Sequence, residues 1–279
     1  MGVVLAAVVV LGLLGVAISK KESGVPVRVV RFTDRDITRR MWRHGTPTPE
    51  TFHVRRDYSG TRIFIVASDI DSGTNRLDVV GATNWTQHTV PACVVFVDRA
   101  ERVVACYDDL KKGVHFATGE TLSLPPFSFF DVDPAGEFFV VGESNFVARV
   151  GSIETPTTAA TVSTNLLASR IFYGRGCLFV CGWSRQQVKR GTSPVIVPMC
   201  LKLSVDRDQF RPIHEYSFQG MGAIIDVDPY GVSALLEGSS DLFPRLYKVN
   251  LATGRRTSVG ISKQWAFFMS SGWKGLGDP

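Results

Sequence analysis

The spacing of apolar positions changes character along this chain. From Val3 to Ile18 apolar and small residues run without a charged or strongly polar one. As a helix that run spans about 24 Å, and Met1, Gly2 and Ser19 extend it to a plausible membrane crossing. Gly24 and Pro26 interrupt it. From Asp34 to His44 the period is helical again, with Ile37, Met41 and Trp42 on one face. Thr33 and Asp36 stand at capping-box spacing, Gly45 suits the C-terminal cap and Pro47 forbids continuation. From Phe52 onward short apolar runs, rich in Val and Phe, are separated by turns of Asp, Pro and Gly. That is the pattern of strands.

The strand region repeats itself. Phe130-Asp-Val-Asp-Pro-Ala-Gly-Glu-Phe-Phe-Val-Val-Gly142 parallels Ile225-Asp-Val-Asp-Pro-Tyr-Gly-Val-Ser-Ala-Leu-Leu-Glu237, both holding apolar-Asp-Val-Asp-Pro-x-Gly. Looser copies run over Arg56 to Val66, Phe96 to Val104 and Phe172 to Val180. The turns fall near 60, 100, 136, 176 and 231, a spacing that suits a four-stranded propeller blade. A second turn, Ala-Thr-Gly, recurs at Ala117-Thr-Gly119 and Ala252-Thr-Gly254, each between strands. One repeat therefore reads strand, Asp/Gly turn, strand, loop, strand, Thr-Gly turn, strand.

These residues resemble the β-propeller superfamily, in the broad style of the WD40, TolB and YVTN repeat proteins, over about Phe52 to Ser271. The Trp-Asp dipeptide of true WD40 repeats is absent. The resemblance implies an all-β ring of five or six four-stranded blades, with Gln264 to Ser270 closing the ring against the first blade. A β-sandwich with internal repeats is the alternative. The expected organisation is an anchor over 1–19, a basic juxtamembrane segment with short helix and linker over 20–51, and the propeller-like domain over 52–279.

Charge refines the anchor. Between Lys20 and Arg43 there are eight basic residues and three acids, while the rest of the chain is balanced. The net charge of +5 therefore sits wholly beside the hydrophobic run. Lys20, Lys21, Arg28, Arg31, Arg39, Arg40 and Arg43 are the candidate lipid contacts, and the positive-inside rule places the domain on the cytosolic or matrix side. A nucleic-acid binder would spread its basic surface over the folded domain, so that class is set aside. A cleaved signal peptide is the alternative for the first segment, but no basic residue precedes the apolar run. The short helix has two open readings, lying on the membrane or docking on the domain.

The chemistry-bearing residues form no familiar constellation. There is no G-x-S-x-G, H-E-x-x-H or Walker loop, and the five histidines are scattered. Asp131 with Asp133, and Asp226 with Asp228, are weak metal candidates, since paired carboxylates suit Ca²⁺. Their repetition at equivalent positions points instead to turn capping. The odd number of cysteines and absence of C-x-x-C favour a reducing compartment. A hairpin turning at Arg99-Ala100 would set Cys93 opposite Cys106, as a bridge or, preferably, as small buried residues.

The expectation is a non-catalytic, single-pass membrane protein with no cofactor. It would be a scaffold or accessory subunit contacting other proteins of a membrane assembly: a respiratory-type or other organellar or bacterial complex, or a membrane-containing virion. Alternatives are an anchored propeller hydrolase or lactonase with a central metal, and an extracellular sensor domain, for which glycosylation at Asn84 would speak.

Overall fold

The computed structural model describes residues 27–43, 51–69, 74–81, 84–90, 94–108, 113–186, 195–207, 209–238, 244–271 and 273. The anchor expected over 1–19, and Lys20 and Lys21, lie outside the described residues. Among the described residues no helix is long and apolar enough to cross a membrane.

Strands follow one another in sets of four, and each set forms its own antiparallel sheet. After strand β1 (Val27–Phe32) and helix α1 (Asp34–Arg43), the first blade comprises β2 (Thr51–Arg56), β3 (Ile63–Asp69), β4 (Thr74–Val80) and β5 (Trp85–Val90). The second comprises β6 (Val94–Val97), β7 (Val103–Asp108), β8 (Gly113–Phe116) and β9 (Thr121–Ser123). The third comprises β10 (Phe129–Val132), β11 (Phe138–Gly142), β12 (Ala148–Ser152) and β13 (Ala160–Ser163). The fourth comprises β14 (Leu167–Gly174), β15 (Cys177–Gln186), β16 (Val195–Asp206) and β17 (Gln209–Ser217). The fifth comprises β18 (Met221–Val227), β19 (Ser233–Gly238), β20 (Arg245–Asn250) and β21 (Arg256–Ile261), and β22 (Trp265–Ser270) follows. This is a β-propeller of five four-stranded blades. No strand crosses from one four-stranded sheet to another, which disposes of the sandwich alternative.

The repeated turn explains why each blade begins as it does. Asp133 accepts hydrogen bonds from the amides of Ala135, Glu137 and Phe138 at 2.8, 2.8 and 2.7 Å. Asp57, Asp98 and Asp228 accept from the corresponding amides in blades one, two and five. Each carboxylate thereby satisfies turn donors that the strand ladder leaves unpaired. Blade four has Gly174 at that position and turns through Arg175 and Gly176, both at positive φ, as a two-residue hairpin loop requires. Gly136 shows why glycine follows the Asp-Pro: its φ is +74°, and a Cβ there would stand 2.6 Å from the Asp98 Cα of the preceding blade.

The hydrophobic core divides into six clusters, one at each junction around the ring. Between the fifth blade and the first a sector remains. That sector holds β22 paired antiparallel with β1, from Val27 opposite Ser270 to Phe32 opposite Trp265. The closing strand was expected to join the first blade. Instead, β1 supplies the partner of β22. Outside this pair lies α1, whose Ile37 and Met41 are fully buried with Phe32, Ile63 and Trp273. Of the helix's two open positions, docking on the domain is the one observed. Its capping box forms as the sequence implied: the Thr33 amide donates to Asp36 Oδ2 at 2.8 Å, and the Asp36 amide to Thr33 Oγ1 at 3.3 Å.

One register expectation fails. Cys106 pairs with Val95, because a bulge between Phe96 and Val97 and a turn with Glu101 at positive φ lengthen the hairpin. Cys106 is disulfide-bonded, against the reading of a small buried thiol, whereas Cys177, Cys181 and Cys200 are free. Cys93 lies outside the described residues.

Candidate functional site: the axial cavity

Strand alternation fixes which side chains face the ring axis. Counting back from the turn residue that ends each innermost strand, the second position holds Arg55, Phe96, Asp131, Phe172 and Asp226. The fourth position holds His53, Val94, Phe129 and Arg170. All nine line one cavity of about 340 Å³, together with Trp265 and Phe267 of β22.

The charged members bind the blades to one another across the axis. Arg55 Nη1 of blade one reaches Asp131 Oδ1 of blade three at 2.6 Å. The other Asp131 oxygen accepts the Ile171 amide of blade four at 2.9 Å. Arg56 Nε bonds both Asp226 oxygens of blade five, at 3.0 and 2.8 Å, and Arg56 Nη2 donates to the Val227 carbonyl at 2.5 Å. Asp226 also accepts the Phe268 amide of β22 at 2.8 Å. One carboxylate thus joins blade five, blade one and the closing strand. Burial pushes the Asp226 carboxyl above its ordinary range, and the Arg56 charge and hydrogen bonds pull it back.

Two bulges set this geometry. The β14 register shifts between Ala168 and Arg170, leaving Ser169 as the extra residue. The β18 register shifts between Ile224 and Asp226, leaving Ile225 as the extra one. A bulge re-aims the next side chain and frees a carbonyl. Here Arg170 Nη1 donates to the freed Ile225 carbonyl at 3.1 Å. Among the described residues no carboxylate lies within ion-pair distance of Arg170, so three axial guanidiniums face two carboxylates. His53 stands at the mouth, where partial burial and the Arg55 charge hold its imidazole below the ordinary value.

The four candidate aspartates therefore divide by role. Asp133 and Asp228 cap turns, while Asp131 and Asp226 tie blades. Among the described residues no three His, Cys, Asp or Glu side chains cluster in a way that could hold a metal ion. Of the candidate lipid contacts, Arg28 donates to the Trp273 carbonyl at 2.6 Å and Arg31 to the Ile261 carbonyl at 3.0 Å. Arg39 is exposed, and Arg40 Nε is buried without a hydrogen-bond partner. The Arg43 side chain lies outside the described residues. Sequence reasoning missed Arg55, Arg56 and Arg170. The signal was present: aligning the repeats on their turns puts Arg55, Asp131 and Asp226 in one column.

The innermost strands all start on one face of the ring, here called upper, and their turns lie on the lower face. The third strand of a blade also starts above, and the fourth ends there. On this count Phe127, Phe129, Val195, Ile196 and Ile261 are exposed on the upper rim. Phe127 is 86% exposed at φ +58°, a conformation that costs a bulky residue about 1–2 kcal/mol.

No protein-family model matches the sequence, nor does any curated protein. Among solved structures the chain is similar to TolB from Acinetobacter baumannii, at 14% identity and a TM-score of 0.44, over 75% of this chain and 54% of that one. It is similar to the β-propeller domain of the Trilobed protease from Pyrococcus furiosus, at 8% identity and a TM-score of 0.44, over 80% and 78% of the two chains. A functionally unknown protein from Desulfotomaculum acetoxidans matches at 8% identity and a TM-score of 0.45, over 80% and 90%. The chain spans about half the length of TolB. Its own sheet topology makes it a five-bladed β-propeller.

Proposed function

We propose that this protein is a non-catalytic, membrane-tethered propeller that serves as a scaffold or accessory subunit, presenting its upper face to other proteins of a membrane assembly. The observation that carries this reading is the use of the axial carboxylates. Asp131 and Asp226 are spent on guanidiniums and amides of other blades, so they hold the ring together. Exposed apolar side chains on the upper rim supply the contact surface, as partner-facing patches do. The uncharged run from Val3 to Ile18 supplies the tether. The test is gentle solubilisation of the full chain from its own membrane, followed by native-gel migration. Migration far above 30.6 kDa, with the same partners recovered repeatedly, supports the reading. Extraction by alkaline carbonate, or migration as a lone monomer in its micelle, counts against it.

A second reading has one observation in its favour. Cys106 is disulfide-bonded, and disulfides persist chiefly on oxidising sides of membranes. A sensor domain facing outward would carry such a bond, whereas Lys20 and Lys21 argue for the inner side. Protease treatment of intact cells or organelles separates the two: a protected domain supports the inner side, a digested one the sensor.

A further inference from the structure

We propose that the axial cavity is a binding site for a carboxylate carried on an apolar group, with Arg170 as its anchor. This goes beyond the scaffold reading and does not depend on it.

Charge comes first. Inside the cavity Arg55 is paired with Asp131 and Arg56 with Asp226, while Arg170 hydrogen-bonds the Ile225 carbonyl and feels the Asp226 charge only from beyond ion-pair distance. A guanidinium offers five donors in a planar fork, and a single carbonyl leaves most of them unused. A half-buried guanidinium with spare donors, in a cavity where three guanidiniums face two carboxylates, attracts an anion more strongly than one in open water. Regular alternation back from Gly174 through Phe172 aims Arg170 at the axis.

The walls select the rest of the ligand. Phe129, Phe130, Phe172 and Trp265 line the same space. The volume of about 340 Å³ falls in the range of small-ligand pockets, and an apolar lining with a few polar groups is their usual character. Phe129 and His53 are exposed at the upper rim, so the cavity reaches solvent there. A bare inorganic anion would leave the aromatic wall unused. A metal cation would meet three guanidiniums. A carboxylate beside an aromatic or aliphatic group uses both features, and it could come from a free small acid or from the C-terminus of a polypeptide.

The test uses the full chain in detergent and reads binding by Trp fluorescence and calorimetry. The probes are N-acetylphenylalanine and N-acetylphenylalaninamide, which differ in the carboxylate alone. The acid should bind about tenfold or more tightly than the amide, the share of a charge-assisted hydrogen bond. Arg170→Gln should erase that preference. If Arg170→Gln does not fold, the acid-to-amide ratio in the unaltered protein still decides. Equal binding of the two probes, or binding of neither, overturns the proposal. So does an acid preference that survives intact in a folded Arg170→Gln. An octapeptide ending in phenylalanine distinguishes the sources: tighter binding than the small acid points to a chain terminus, equal binding to a free acid. Native-gel migration can succeed or fail whatever these titrations show, so failure of the scaffold reading stays separate.

Discussion

Removing the Asp226 carboxylate tests the axial lock most severely. Arg56 and Asp226 are 3% and 0% exposed, so neither charge can turn to water when its partner is lost. Asp226→Ala strands the Arg56 guanidinium, and it also orphans the Phe268 amide of the closing strand. Breaking one partner of a buried pair costs about 3–5 kcal/mol. For a domain of this size that corresponds to a fall in melting temperature of about 6–20 °C. The double variant Arg56→Met/Asp226→Leu should cost less than Asp226→Ala alone, because it leaves no buried charge unpaired. Asp131→Ala should cost less as well, since the Arg55 and Asp131 side chains are 26% and 12% exposed and water can replace part of what is lost. The assay is urea denaturation followed by near-ultraviolet circular dichroism. A loss below about 1 kcal/mol for Asp226→Ala, or a double variant as costly as the two single ones summed, would refute the assignment of Asp226 as the knot of the ring.

Further outcomes are expected. Gly136→Ala should destabilise more than Gly119→Ala: both glycines have positive φ, but only at Gly136 does the new Cβ meet backbone, so equal melting temperatures would contradict the account. Burial raises the Asp133 carboxyl from 3.8 to about 6 against three amide donors, with Glu137 adding to the rise. Its folded value exceeds its unfolded one, so its contribution is full below pH 3.8 and is lost as pH rises through about 6. The stability difference between wild type and Asp133→Asn should decline over that window, and a difference that grows there would contradict the assignment. The equivalent Asp98 carboxyl, less deeply buried and facing Arg102 where Asp133 faces Glu137, is lowered and should show the opposite trend, its contribution lost as pH falls. Phe127→Gly relieves a strained φ and removes an exposed ring, so the melting temperature should hold or rise slightly; a marked fall would show that the ring supports the fold. Chelation or added Ca²⁺ should leave the melting temperature unchanged, whereas a Ca²⁺-dependent rise would revive the metal reading of the axial aspartates.

Local chemistry made the blades legible. An Asp-Val-Asp-Pro-x-Gly turn states its own geometry, because the second aspartate caps the turn amides and the glycine takes positive φ. Each of the five expected turns joins the first and second strands of a blade, and both Ala-Thr-Gly turns join third and fourth strands. Long-range pairing was not legible. Nothing near Val27 announces that it will lie opposite Ser270, because the partner is at the other end of the chain. The helix carried an apolar face without saying what would cover it, and Phe32 with Trp273 does so. The site was half visible. Asp131 and Asp226 stood out by repetition, but their partners are arginines of blade one, far off in sequence, and Arg170 shares its axial column with His53, Val94 and Phe129, which give no sign of a charged position. At Cys106 a bulge in the hairpin displaced a pairing that simple counting had assigned.

The central claim is that the upper face meets another polypeptide in the membrane. A photoreactive amino acid placed at Phe127, on the upper rim, and separately at Arg207, in the exposed lower turn between β16 and β17, tests it in living cells. A discrete cross-linked product is expected from position 127 and none from position 207. Cross-linking from 207 alone, equal products from both, or none from either would contradict it.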